Sequence, residues 1–240
     1  MVDYPQPLSH GCAIFLDIDG TLLDLAATPD SVAVPAHIPG LLRHLAARQN
    51  GALALISGRA LADIDLLFGP GLAVAAEHGA ILRDAAGRWL RNPAAPAALA
   101  GMAPALRRAV AARPGTLLEE KRCGLVLHWR GVPSHAAALA ALAAEYVAPH
   151  PELMLQPAHE AMEIRLRGPG KAGALEIFMG LTPFAGRIPV FVGDDVTDEP
   201  AIARATAMGG QGLHVSRDFP GGPAAVRAWL AAAAAPEGGP

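Results

Sequence analysis

The stretch AIFLDIDGTLLDL, residues 13–25, opens with four apolar residues and then sets two carboxylates two positions apart. Ala13-Ile14-Phe15-Leu16 has the continuous apolar character of a strand buried on both faces, as in a parallel sheet. Side chains two apart on an extended chain share a face, so Asp17 and Asp19 are expected to project together where the strand ends. Paired carboxylates repel and lose hydration, so they call for a compensating partner.

The same arrangement recurs along the chain. Ile38, Leu41, Leu42 and Leu45 fall at helical spacing, and Asn50-Gly51 is a stop signal. ALALIS (52–57) is a second apolar run, leading into Ser57-Gly58-Arg59, and a short helix pattern covers 60–67. LAVAAEHGAIL (72–82) reads as a third strand entering a turn or hairpin; PVFVGDD (189–195) and GLHVSR (212–217) read as a fourth and a fifth. Strands alternating with helices predict an α/β fold, a Rossmann-like parallel sheet with right-handed crossovers. Ligands in such sheets sit at the carboxyl ends of the strands, where this chain carries Asp17, Ser57, Glu77 and Asp194.

The middle differs. In LVLHWR, Leu125, Leu127 and Trp129 oppose Val126, His128 and Arg130; in MEIRLR, Met162, Ile164 and Leu166 oppose Glu163, Arg165 and Arg167. Helix patterns at 104–112 and 135–147, the second with Ser134 as N-cap, would cover the apolar face. The reading is an inserted α+β cap domain over 93–167, with one polar sheet face, inside a discontinuous core of 10–92 and 168–235.

Composition sets outer bounds. With 240 residues, 52% hydrophobic and 17% charged, the chain suits a globular protein with a sizeable core. A net charge of -3 and no Lys/Arg run argue against nucleic acid or anionic membrane as a partner. Cys12 and Cys123 match no metal or redox spacing. Without a leader-like N-terminus or a membrane-length apolar run, a cytoplasmic monomer is expected, its ends, 1–9 and 235–240, frayed.

The chemistry lies in four segments. A calcium loop fits D-x-D-G-T poorly, since its glycine would stand at position 4, not 6. The second acidic cluster, Gly193-Asp194-Asp195-Val196-Thr197-Asp198-Glu199, follows another core strand, so three or four carboxylates would converge at one edge. A hard divalent cation is the natural compensation, and Mg2+ suits few carboxylates plus a phosphate. Ser57 offers a hydroxyl at a helix start, and Lys171 a positive charge. Cation, lysine, serine and carboxylate nucleophile are what phosphoryl transfer through an aspartyl-phosphate requires.

In this order, D-x-D-G-T, S-G-R, the helix-opening lysine and G-D-D-x-T-D-E resemble the haloacid dehalogenase superfamily of phosphohydrolases. AAEHG, EEKRCGLVLHWR, EIRLRGPGKAGAL and GDDVTDE narrow this: from about residue 13 to 217 the chain is similar to trehalose-6-phosphate phosphatases. The resemblance implies Asp17 as nucleophile, Asp19 as acid and then base, and Ser57 and Lys171 on the phosphoryl oxygens. It implies Mg2+ on Asp17, Asp194 and the Asp19 carbonyl, with Asp195 and Asp198 orienting the metal shell, and hydrolysis of trehalose 6-phosphate. The family often carries an aromatic residue where Ile18 sits, and a bulkier pair at Pro200-Ala201.

Sugar recognition is expected from the polar cap face, among Glu119, Lys121, His128, Arg130, Glu163 and Arg165, with Gly20, Glu77 and His78 contributing from the core. Plainer readings stand beside these. Ser57, Asp195 and Asp198 could cap helices, Arg59 could be a structural salt-bridge partner, and His78 a turn residue. Another sugar phosphate, of the sucrose or mannosyl type, is the nearest alternative substrate, and a non-catalytic sugar-phosphate binder a remoter one. Gly168–Gly173 also fits G-x-G-x-x-G, but the amphipathic strand before it argues against a dinucleotide site.

Overall fold

A computed structural model describes residues 5–26 and 32–235. The expected fraying of the ends falls partly on 1–4 and 236–240, outside the described residues. The chain divides into two compact units: residues up to Arg91 together with those from Gly170 on, and Asn92–Pro169 between them.

The first unit contains β1 (Cys12–Leu16), α1 (Ile38–Arg48), β2 (Leu53–Ile56), α2 (Leu61–Phe68), β3 (Ala73–Ala76), β4 (Ile81–Arg83) and β5 (Trp89–Arg91). It resumes after the second unit with the helix Lys171–Met179, the strand Ile188–Gly193, the helix Glu199–Ala207, the strand Gln211–His214, and the helices Val215–Asp218 and Pro223–Ala234. The second unit contains α3 (Ala97–Ala111), β6 (Leu117–Glu120), β7 (Gly124–His128), α4 (Ala136–Val147), β8 (Leu153–Ala158) and β9 (Ala161–Leu166). In chain order the later elements are therefore α5, β10, α6, β11, α7 and α8.

The core sheet has the order β11-β10-β1-β2-β3-β4-β5. Its first five strands are parallel; β4 and β5 fold back antiparallel as a hairpin. Every residue of β1 is buried, as the apolar run requires. Leu16 pairs with Val192 on one side and Leu55 on the other, so β1, β2 and β10 end level. That register brings residues 17, 57 and 194 to one edge. Beneath it Phe15, Phe178 and Phe184 pack with ring centroids 5.2–6.3 Å apart. Helix α1 buries Ile38, Leu42 and Leu45, and ends where Asn50 and Gly51 take φ of 52° and 90°.

The second unit is an antiparallel sheet, β6-β7-β9-β8. Leu125, Leu127, Trp129 and Ile164 pack with α3 residues Leu99, Met102 and Leu106 and α4 residues Leu139 and Ala143. Because β9 lies in this sheet, the strand before Gly168 is no central Rossmann strand, which removes the dinucleotide reading.

Three expectations need correction. Helix α3 starts at Ala97, not 104, and carries Pro104 inside it. Ser134 is no N-cap: it lies in a 3-10 turn, and His135 precedes α4 without a side-chain cap. The fifth strand stops at His214, because the Asp218 carboxylate accepts its N–H at 2.6 Å and its Nδ1 accepts Ser216 N–H at 3.3 Å, starting α7.

Phe178→Ala removes a ring that is 1% exposed from the aromatic cluster. A loss of about 3–5 kcal/mol is expected, measured by urea denaturation.

Candidate active site

The strand ends fix the site's backbone. Asp17 N–H still donates to Val192 O at 2.9 Å, so the residue stays in the ladder. The chain then turns on itself: the N–H groups of Leu22 and Leu23 donate to Ile18 O, and Gly20 N–H to Leu23 O. Gly20 has φ +77°, and a Cβ there would lie 2.0 Å from Asp194 Oδ2, so only glycine lets the two loops approach this closely. Gly20 thus serves the close packing of these two loops.

Lys171 opens α5 and is 5% exposed. Its ammonium donates to Asp17 Oδ1 and Asp198 Oδ1, both at 2.7 Å. Asp198 is fully buried, and its Oδ2 accepts the N–H groups of Asp194 (3.3 Å) and Asp195 (3.2 Å). The buried Thr21 hydroxyl lies 3.3 Å from Asp17 Oδ2 and 3.1 Å from Asp194 Oδ1, one proton shared between two acceptors. Burial, opposed by Lys171 and reinforced by Asp198 and Asp194, holds the Asp17 carboxyl well above the usual range. Burial would lower the Lys171 ammonium, but Asp17 and Asp198 outweigh it and raise its pKa.

Oxygens of Asp17, Asp194 and Asp198 lie within 4.8 Å of one another. One ammonium faces three carboxylates, all hard oxygen donors, and Asp194 is also raised by burial and by Asp198. Such a donor set fits a hard divalent cation.

Other expected residues part company with this cluster. Asp19 does not share a partner with Asp17. Arg59 grips it, Nε to Oδ2 and Nη2 to Oδ1, each 2.7 Å. Asp195 is exposed, its Oδ1 accepting Val196 N–H at 2.5 Å, and lies outside the carboxylate cluster. Ser57 is buried at the end of β2, its Oγ accepting Arg59 N–H at 3.2 Å; it caps no helix, since α2 begins at Leu61. Glu77 and His78 form a left-handed turn with φ of 48° and 56°. Their N–H groups donate to Arg59 O and Ser57 O, at 3.0 and 2.9 Å.

In the second unit, Glu119, Val126 and Glu163 stand in register across β6, β7 and β9. Lys121 Nζ lies 3.0 Å from Glu163 Oε1 and 3.7 Å from Glu119 Oε1, and His128 Nε2 lies 2.8 Å from Glu119 Oε2. Burial favours the neutral form of Glu119, but His128 and Lys121 outweigh it and lower its pKa. Arg130 falls outside this group: it lies beyond the end of β7, with Nε 3.4 Å from Glu160. Arg165 turns to the end of the unit, donating to Pro169 O at 2.7 Å, and its buried Nε has no hydrogen-bond partner among the described residues.

Thr21 and Arg59 are the site residues that sequence reasoning left out. Both stand inside quoted motifs, D-x-D-G-T and S-G-R. A further signal is scarcity: Lys121 and Lys171 are the chain's two lysines, and each sits among carboxylates.

A profile of the family described as trehalose-phosphatase matches residues 15–220. The chain is 40% identical over 211 residues to a probable trehalose-phosphate phosphatase of Sinorhizobium fredii, covering 87% of this chain and 79% of that one. It is 39% identical over 209 residues to the trehalose-6-phosphate phosphatase of Escherichia coli, with the same coverage. Among solved structures, the C-terminal domain of trehalose-6-phosphate phosphatase from C. albicans superposes with a TM-score of 0.78 at 17% identity, covering 93% of this chain and 92% of that one. A haloacid dehalogenase-like hydrolase from Bacteroides thetaiotaomicron gives 0.64 at 13% identity, covering 92% of each chain. The structural likenesses show the fold.

Lys171→Met leaves two buried carboxylates without their ammonium. Stability should fall by about 3–5 kcal/mol at neutral pH, measured by chemical denaturation. Folding raises the ammonium's pKa above its ordinary 10.5, so its contribution is fully present below that value and lost as pH rises through the folded one. Glu119 behaves oppositely. Its lowered pKa stabilises above the ordinary value of 4.5 and is lost as pH falls through the folded value, so Glu119→Gln should flatten the acid limb of the stability profile.

Proposed function

The chain belongs to the trehalose-phosphatase family, and on that premise we propose that it hydrolyses trehalose 6-phosphate to trehalose and phosphate, with Mg2+ as cofactor. The observation carrying this reading is the buried Asp17–Lys171–Asp198 network beside Asp194.

In this reading an Asp17 oxygen attacks phosphorus, forming an acyl-phosphate as the bond to the sugar oxygen breaks. Asp19 enters protonated and gives that proton to the departing alkoxide; water then attacks the acyl-phosphate, and the Asp19 carboxylate takes a proton from it, which restores its starting state. Lys171 keeps Asp17 oriented and opposes the charge that the phosphate brings. The Ser57 hydroxyl, its oxygen already accepting from Arg59 N–H, keeps its own proton for a phosphoryl oxygen. Asp17 and Asp194 would hold the metal, with Asp198 fixed behind them by Lys171 and two backbone N–H groups. When bound, Mg2+ supplies positive charge for the phosphoryl oxygens.

Glu119, Lys121, His128 and Glu163 are proposed to read the sugar hydroxyls, since their carboxylates and cations offer acceptors and donors at fixed spacing.

Phosphate release from trehalose 6-phosphate, measured against sucrose and glucose 6-phosphates with Mg2+ or EDTA, tests the reading. Turnover is expected on the first, and EDTA should abolish it; activity confined to another sugar phosphate would reassign the substrate. Asp17→Asn should remove turnover while leaving the circular dichroism spectrum intact. Glu119→Ala and Lys121→Ala should depress sugar-phosphate hydrolysis by at least about tenfold more than that of p-nitrophenyl phosphate, as losing a buried charged contact implies. Equal losses on both substrates would remove these residues from recognition.

A further inference from the structure

We infer that Arg59 is a positioning residue for the Asp19 carboxylate, setting its plane for proton transfer; this rests on the reading above. The side chain of Arg59 is 9% exposed, and it grips both oxygens of Asp19 at 2.7 Å. A planar guanidinium with two parallel bonds fixes an orientation as well as a charge, which a lysine in the same place would not do. The fork uses one lone pair on each carboxylate oxygen. The remaining lone pairs are left for the proton that Asp19 carries in one step and takes up in the next.

The backbone of Arg59 is fixed just as firmly. Its N–H donates to Ser57 Oγ at 3.2 Å, and its carbonyl accepts Glu77 N–H at 3.0 Å. The turn that supplies this bond is strained, with Glu77 and His78 both left-handed. Such residues cost about 1–3 kcal/mol each and persist where the surroundings over-determine them. Gly58 makes the arrangement possible, since a Cβ there would come within 2.6 Å of the His78 ring. The loop thus ties the proposed phosphate ligand Ser57 and the proposed proton carrier Asp19 to one residue.

A salt bridge serving only the fold would matter equally for every substrate. A positioning residue for Asp19 would not. The alkoxide of a sugar must gain a proton as it leaves, whereas p-nitrophenolate leaves without one. The effect of losing Arg59 should therefore grow with the basicity of the leaving group.

The test measures kcat/KM for Arg59→Ala and Arg59→Lys in the full chain with Mg2+, across aryl and alkyl phosphates and trehalose 6-phosphate. For Arg59→Ala the expected loss is about 100-fold or more on trehalose 6-phosphate and under about 10-fold on p-nitrophenyl phosphate, within the range that acid–base catalysis spans. The slope of log kcat/KM against leaving-group pKa should steepen. Arg59→Lys keeps the charge without the fork and should stay impaired on the sugar phosphate. In an Asp19→Asn background, Arg59→Ala should add under about threefold, because the two act as one unit. Equal losses on aryl and alkyl substrates, full activity in Arg59→Lys, or additive losses with Asp19→Asn would each overturn the inference alone. A wild-type protein inert on every phosphate ester would overturn the functional reading and the inference together.

Discussion

A primary ammonium held out of water between two carboxylates is the constraint on which this molecule is built. Lys171 joins the end of β1 to the turn after β10, parts of the chain separated by the whole of the second unit. Ion pairs of this kind add little net stability, because desolvating the charges consumes most of their attraction. What they do impose is arrangement. Few backbone placements satisfy Lys171, Asp17 and Asp198 together, and a level ending of the parallel strands is one of them.

The second unit repeats the device in another setting. Lys121 lies against Glu163, with Glu119 and His128 alongside, on a sheet whose opposite face packs against two helices. Surface cations elsewhere are arginines, such as Arg88 with Asp84, Arg107 with Glu120 and Arg217 with Glu199. Lysine is reserved for the two places where a compact charge with three donors meets several carboxylates.

Much of this is legible in the sequence. The apolar runs and their carboxyl-end acids gave the parallel sheet, because a strand buried on both faces admits no polar residue until it ends. Amphipathic alternation separated the second unit for the same reason. The failures are equally physical. The start of α3 was hidden by alanine-rich sequence without an apolar period, and by Pro104, which reads as a boundary although it lies within the helix. The strand Gln211–His214 is shorter than its apolar pattern predicts, because its end is decided by Asp218, a side chain further down the chain. The resemblance gives Asp19 and Asp195 parts at the site of Asp17, but the side-chain pairings there are not written in the motifs. Arg59, 40 residues from Asp19, grips that carboxylate, and Asp195 is exposed to solvent. Periodicity carries no information about such pairings.

Gly79 lies where the chain leaves the first unit and where it returns. Arg91, the last residue before the departure, donates to its carbonyl at 2.8 Å, and a Cβ built on it would lie 2.9 Å from the carbonyl oxygen of Gly170, the first residue after the return. Both ends of the interruption thus pass close to one glycine. A segment inserted at such a place interrupts no strand pairing of the first unit, so its length can change without disturbing the sheet that carries Asp17 and Asp194.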